Sequence, residues 1–229
     1  MDMMHLFHSE SNSPFNNIAL EESFLEHAAD ETRLLFWKSR PAVILGKNQN
    51  PWLEVNLEYC QEHRVEIARR FSGGGCVYQD AGNLNYAIIH PRKHYCMERI
   101  LDCISAAFQD GGVGVERILE NALGIDGRKF SGHAFCYRRD RVLHHGTLLV
   151  DANLDHLLNS LKPEDVSVAT HAVLSRTAPV CNLSEYGLSE NRVREFLIRG
   201  VESALNLSLE GETWLSRGCL LYTSDAADE

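Results

Sequence analysis

The stretch Arg69–Tyr86 (RRFSGGGCVYQDAGNLNY) gathers the residue types of an anion pocket. Three consecutive glycines, Gly73, Gly74 and Gly75, strip the side chains from a turn. The backbone there can approach a ligand closely and aim several N–H groups at it. Arg69 and Arg70 come just before, and a guanidinium fork suits carboxylate or phosphate. Taken alone, the same pattern also describes a flexible surface turn with two solvated arginines. A second group is Gly127-Arg128-Lys129-Phe130-Ser131-Gly132. Lys129 runs with Phe130, Phe135 and Tyr137 in what reads as a partly buried strand. A compact ammonium there would stabilise charge on a phosphate or acyl oxygen; an exposed strand lysine after a turn is the other reading. The third group is His144-His145-Gly146-Thr147. Adjacent strand residues face opposite sides, so only one of these histidines can face a given pocket, which argues against both binding one metal. A lone histidine here also fits a hydrogen-bonded structural role.

The elements that must position these groups read as mixed α and β. Asn17–Ala29 has the spacing of an amphipathic helix, with apolar Ile18, Leu20, Phe24, Leu25 and Ala28. Runs 33–37 and 42–45, separated by Ser39-Arg40-Pro41, read as a hairpin. A short helix is expected over 57–63 and short strands over 65–68 and 76–78, flanking the glycine loop. A strand follows over 84–89, then a helix over 94–108 stopped by Gly111-Gly112. Three strands follow, over 122–125, 129–137 and 142–150, the first two joined by Asp126-Gly127, a favoured two-residue hairpin turn. Residues 153–161 read as helix, 163–181 as loop, and Ser189 as the cap of a last helix to about Leu205. Strands grouped between helices, rather than strictly alternating with them, predict an α+β fold with a mixed or antiparallel central sheet flanked by helices.

In combination the motifs narrow sharply. The order RRxSGGGxVYxDxGNLN, then GRKxSG, then HHGTLL resembles the lipoate–protein ligase family, whose catalytic fold is shared with biotin ligases and octanoyltransferases. Two earlier segments agree: Asn17-Ile18-Ala19-Leu20-Glu21-Glu22 looks like the family's NLAxEE helix, and residues 43–52 (VILGKNQNPW) look like its VVIGRxQNPW segment. The resemblance runs from about Asn17 to Leu154. It implies an enzyme that uses ATP, with Mg2+, to convert lipoate to lipoyl-adenylate and then passes the acyl group to a carrier lysine. The carriers would be lipoyl domains of 2-oxoacid dehydrogenase E2 subunits or the glycine cleavage H protein.

The resemblance also assigns residues. Lys129 matches the central catalytic position. Arg69, Arg70, Ser72, Gly73, Gly74, Gly75, Gln79, Asp80, Asn83, Asn121, Ser131, Gly132, His145, Gly146 and Thr147 match positions lining the adenylate and ATP site. Trp37 matches an aromatic near the acyl tail, with plain core packing as the other reading. The chain departs from the family at Gln79, where histidine is usual, and at Glu120-Asn121-Ala122, where the family reads Arg-Asn-Asp. No protein-bound metal site is expected. Two further readings stay open: an ATP-independent acyltransferase working through a cysteine thioester, for which Cys76 beside the loop is the candidate, and a non-catalytic lipoate-binding homologue. Biotin ligase fits less well, because the loop reads SGGG rather than a basic glycine–arginine sequence.

Composition bounds the rest. The 229 residues include 22 Lys and Arg against 32 Asp and Glu, a net charge of −10, so no general attraction for nucleic acid is expected. No apolar run reaches the ~18 residues of a spanning helix. The N-terminus lacks the basic and apolar regions of a secretory signal, and seven scattered cysteines fit thiols in a reducing cytoplasm. The reading expects one catalytic domain over 1–218. Residues 219–229 (CLLYTSDAADE) resemble a translated sequencing adapter, so the natural coding sequence is expected to be interrupted near Gly218; the resemblance implies an accessory domain or a separate subunit for adenylation, and whether such a domain follows in the natural chain stays open.

Overall fold

A computed structural model describes residues 3–27, 31–161, 163 and 170–216. In chain order the elements are β1 (Met3–Ser9), α1 (Pro14–His27), β2 (Thr32–Trp37), β3 (Ala42–Leu45), α2 (Leu57–Glu62), β4 (Glu66–Arg69), β5 (Val77–Gln79), β6 (Asn83–Pro91) and α3 (Met97–Asp110). They continue with β7 (Glu116–Leu119), β8 (Ala122–Ile125), β9 (Arg128–Arg138), β10 (Arg141–Leu149), α4 (Leu154–Ser160), α5 (Glu190–Leu205) and β11 (Ser208–Leu215). Eight strands form one mixed sheet in the order β11-β1-β2-β6-β10-β9-β8-β7, and three form a small sheet, β4-β3-β5. This is the expected α+β architecture.

Each face of the large sheet has a different cover. One face carries Leu34, Phe36, Leu84, Tyr86, Ile88, Phe130 and Leu148, which pack with Ile100, Ile104 and Phe108 of α3 and with Val193, Phe196 and Leu197 of α5. The other face meets α1 through Leu20 and Leu25, which pack on Leu35, Trp37, Ala87, Ile89 and Leu143. The small sheet, with α2 and α4, closes a third cluster around Val43, Leu45, Cys60, Tyr78 and Leu157. The site lies between the small sheet and the α1-facing side of the large one.

Several expectations are corrected. Runs 33–37 and 42–45 do not form a hairpin: β2 pairs with β1 and β6, whereas β3 pairs with β4 and β5. The reason is burial. All four residues of β3 are buried, so it must be the inner strand of a covered sheet, and both edges of β2 are already taken. Helix α1 begins earlier than expected, at Pro14, whose missing N–H costs nothing in a first turn; residues 28–30, at its expected end, lie outside the described residues. Helix α3 starts at Met97 instead of His94. Strands β1, β7 and β11 were not expected at all. Asp126 and Gly127 have φ of 52° and 73°, the left-handed pair that a tight two-residue hairpin needs. Residues 219–229 lie outside the described residues. No helix among the described residues is long and apolar enough to cross a membrane.

Candidate active site

The floor of the site is a row of the large sheet. Register aligns Trp37 with Asn85, Asn85 with Thr147, Thr147 with Gly132 and Gly132 with Ala122. Register partners share a face, so these residues point to one side, and the next row adds Leu35, Ala87, His145 and Ala134. The small residues Gly132 and Ala134 leave room above the floor. That room is a cavity of about 390 Å³, roofed by the glycine loop, β5 and the segment 173–176. A second chamber of about 350 Å³, lined by Leu53, Leu149, Leu157 and Leu161, opens beside it. Lys129, Gly132 and Thr147 border both.

Lys129 reaches the junction because β9 carries a bulge: Ser131 opposes Leu123 but Lys129 opposes the very next residue, Gly124. The extra residue, Phe130, turns into the core beside Phe108 at 5.6 Å between ring centroids. A bulge re-aims side chains in this way. The Lys129 side chain then lies across Gly132, where a Cβ would come within 2.8 Å of Nζ. Its main chain is tied to the 170–181 segment by Lys129 N–H to Pro179 O, 2.7 Å, and Cys181 N–H to Lys129 O, 3.0 Å. Burial, then the nearby Arg70, lowers its pKa.

The glycine loop is shaped by Arg70. Its Nη2 donates to Gly73 O and Gly75 O, both at 2.7 Å, its Nη1 to Ile44 O and its Nε to Ser72 Oγ at 3.1 Å. Burial pulls this guanidinium down to about 10, so it stays charged at neutral pH. Most of its donors therefore hold the loop open instead of a ligand. Gly74 adopts φ +87°, and Gly46 lies so near that a Cβ on it would be 2.1 Å from Gly74 O. Arg69 donates to Gly46 O and Gln49 O and does not border either chamber.

A hydrogen-bond chain fixes the inner wall. Ser72 Oγ is 2.7 Å from His145 Nε2, and His145 Nδ1 is 2.6 Å from Glu21 Oε2. Arg70 Nε donates to the Ser72 hydroxyl, which then gives its own proton to Nε2; Nδ1–H faces Glu21, which can only accept. The other oxygen of Glu21 accepts from Trp37 Nε1, 2.8 Å. His145 faces the site, while His144 turns to the opposite face and meets His133 at 3.1 Å.

Of the expected residues, Trp37, Arg70, Gly74, Gly75, Gln79, Asn121, Lys129, Gly132, His145, Gly146 and Thr147 border the first chamber, and Ser131 borders the second. Ser72 and Gly73 stand behind the wall. Asp80 also lies apart: it accepts from Gly82 N and Asn153 N and so ties β6 to α4. Asn83 donates to Thr147 Oγ1 at 2.9 Å. Three participants were not assigned from sequence. Glu21 orients two site residues; Asn85 lies on the floor; and Ser175 latches the roof, donating to Glu54 Oε2 at 2.5 Å and accepting from Cys76 N at 2.8 Å. The NLAxEE motif contained Glu21, but nothing signalled a partner for it at position 145. Among the described residues no three His, Cys, Asp or Glu side chains converge as a metal site.

A family model described as the lipoyl protein ligase A/B catalytic domain matches residues 13–202. The chain is 34% identical over 210 residues to a lipoate-protein ligase A of Bdellovibrio bacteriovorus, covering 89% of this chain and 62% of that one. It thus spans less than two thirds of the length of the curated relatives it matches. Among solved structures, a bipartite lipoate protein ligase studied with its E2 lipoyl domain from Thermoplasma acidophilum superposes with TM-score 0.82 at 23% identity, covering 100% of this chain and 93% of that one. A lipoate-protein ligase A bound with ATP gives TM-score 0.81 at 22% identity, covering 100% and 95%. These two likenesses speak for the fold.

Proposed function

Because the chain belongs to the lipoyl protein ligase A/B catalytic-domain family, we propose that it activates lipoate with ATP and transfers the lipoyl group to a lysine of a lipoyl carrier domain. The observation that carries this reading is Lys129, whose ammonium stands where the two chambers meet, with no hydrogen-bond partner among the described residues. An acyl chain fills the first chamber and a nucleoside the second, so carboxylate and α-phosphate come together at Nζ.

In the first step a lipoate carboxylate oxygen attacks the α-phosphorus, the bond to pyrophosphate breaks, and a mixed anhydride forms. In the second, the carrier amine attacks the acyl carbon, the bond to AMP breaks, and the amine proton is released as the amide forms. Lys129 donates hydrogen bonds to the acyl and phosphate oxygens in both. Its partial desolvation strengthens that contact, since charges interact more strongly away from water. Gly74 and Gly75, in the loop that Arg70 holds, border the same space. Mg2+ bound with the triphosphate would neutralise part of its charge; among the described residues no three His, Cys, Asp or Glu side chains converge to hold it apart from the nucleotide.

Cys76 also borders both chambers, the place an acyl-thioester route would need. Burial, reinforced by Glu54, pushes its thiol up to about 12, so it holds its proton at neutral pH and makes a poor nucleophile. The acceptors in this reading are E2 lipoyl domains and the glycine cleavage H protein. The compartment is the cytoplasm, where the six thiols of the described residues can stay unpaired.

The test is lipoate-dependent pyrophosphate release, together with lipoyl transfer from preformed lipoyl-adenylate to an E2 lipoyl domain. We expect Lys129→Ala to fold and to lose roughly 10²–10³ in transfer rate. Transfer at the wild-type rate in that variant refutes the role of the lysine; absence of both activities in the wild-type chain refutes the ligase reading.

A further inference from the structure

One feature of the first chamber is not used by the chemistry at Lys129. Gln79, from the small sheet, donates through Nε2 to Asn85 Oδ1 on the large sheet at 2.9 Å. The remaining atoms of the pair, Gln79 Oε1 and Asn85 Nδ2, are buried with no partner among the described residues. The residues are only 5% and 1% exposed, and both border the chamber alongside Trp37. Exchanging the two amides end for end leaves the same count, one acceptor and one donor unsatisfied. Buried groups of this kind are costly unless something pairs with them.

Their position suits a ligand's far end. Asn85 stands two strands from Gly132, over which the Lys129 side chain lies. With neighbouring strands about 4.8 Å apart, the amide pair is roughly 10 Å from the ammonium across the floor. A short acyl chain with its carboxylate at Lys129 therefore brings its tip to the amides.

We propose that the Gln79–Asn85 amide pair recognises a sulfur-bearing acyl tip by hydrogen bonding and disfavours a plain alkyl tip. The proposal rests on the reading of this chamber as the acyl site. A thiol both donates and accepts weakly, and a disulfide sulfur accepts weakly. A rotation of the two buried amides toward the chamber lets the reduced dithiol of dihydrolipoate meet both orphan atoms, and the cyclic disulfide of lipoate meet the Asn85 donor. Octanoate meets neither, and its methyl end strands both in an apolar contact. Gln79 is thus a specificity residue, acting at the opposite end of the substrate from the reacting carboxylate.

The experiment is calorimetric binding of R-dihydrolipoate, R-lipoate and octanoate to the full chain, and to a Gln79→Met/Asn85→Leu double variant that keeps volume and removes both amides. In the wild type octanoate should bind weakest, by roughly tenfold against lipoate, the scale of leaving a buried polar group unpaired. In the double variant the octanoate-to-lipoate ratio should fall to near one. Any wild-type order in which octanoate is not weakest overturns the proposal. A folded double variant that keeps the wild-type ratio also overturns it. If the double variant does not fold, as read from its thermal transition, Gln79→Met alone decides by the same criterion. If none of the three acids binds the wild type, the acyl-site reading itself fails, an outcome distinct from equal binding of all three.

Discussion

Gly132→Ala separates positioning from stability. A Cβ at residue 132 would stand 2.8 Å from Lys129 Nζ and 2.9 Å from Cε. Ordinary contact begins near 3.4 Å, so the end of the lysine must retreat by about 0.6 Å. The clash is with a flexible side-chain tip, and Gly132 is not among the residues with positive φ, so alanine suits the strand. Stability should hold, or rise by up to about 1 kcal/mol through loss of freedom in the unfolded chain. Catalysis should not hold. Misplacing a catalytic group by about 1 Å can cost 10²-fold, so a retreat of this size predicts a loss of roughly 10- to 100-fold in lipoyl transfer. The assay is single-turnover transfer from preformed lipoyl-adenylate to an E2 lipoyl domain, with urea unfolding run in parallel. Wild-type transfer by a stable Gly132→Ala protein would show that the ammonium need not lie over that glycine, and the assignment of Lys129 would go with it.

Gly74→Val forces a β-branched residue into φ +87° with Arg70 Nη2 3.0 Å from its Cβ. It should cost at least about 1–2 kcal/mol of stability and weaken lipoyl-adenylate binding; unchanged affinity by calorimetry would contradict the close-approach role of the loop. Burial holds His133 down to about 3, and drives His144 down as well. Between about pH 6.5 and 3 the unfolded chain takes up protons that the folded chain refuses. The stability from these two residues is therefore complete above pH 6.5 and is lost as pH falls, by up to about 1.4 kcal/mol per unit for each. Urea midpoints that stay level from pH 7 to 5 would refute it. Cys76, pushed up to about 12, should resist alkylation at pH 8 while exposed Cys96 reacts, as peptide mapping would record.

What could be read from the sequence was whatever chemistry or pattern was local. The glycine loop, the Asp126-Gly127 turn and the split facing of His144 and His145 each follow from a few consecutive residues. Relations across the chain were not readable. Ser175 and Glu54 meet 121 positions apart, and nothing in either neighbourhood marks the pair. The two arginines were the subtler case. Their type suggested direct anion contact, yet Arg69 clamps Gly46 and Gln49 carbonyls and Arg70 mostly holds its own loop. Type alone does not say whether a guanidinium will spend its donors on a ligand or on the backbone that shapes the ligand's place. Strand β11 was missed because its partner lies at the other end of the chain: it pairs with β1 at the margin of the sheet, and most of its side chains are only half covered.

The bulge in β9 places Lys129 and Phe130 on consecutive residues of one backbone, the first at the junction of the two chambers and the second wedged against Phe108, itself packed at a tilt on Phe196. On the proposed role of Lys129, packing in this hidden aromatic cluster bears directly on turnover. Inherited or selected changes at Phe108 or Phe196 that spare folding would register as sluggish alleles, and screening them for yield and for rate separately would expose the link.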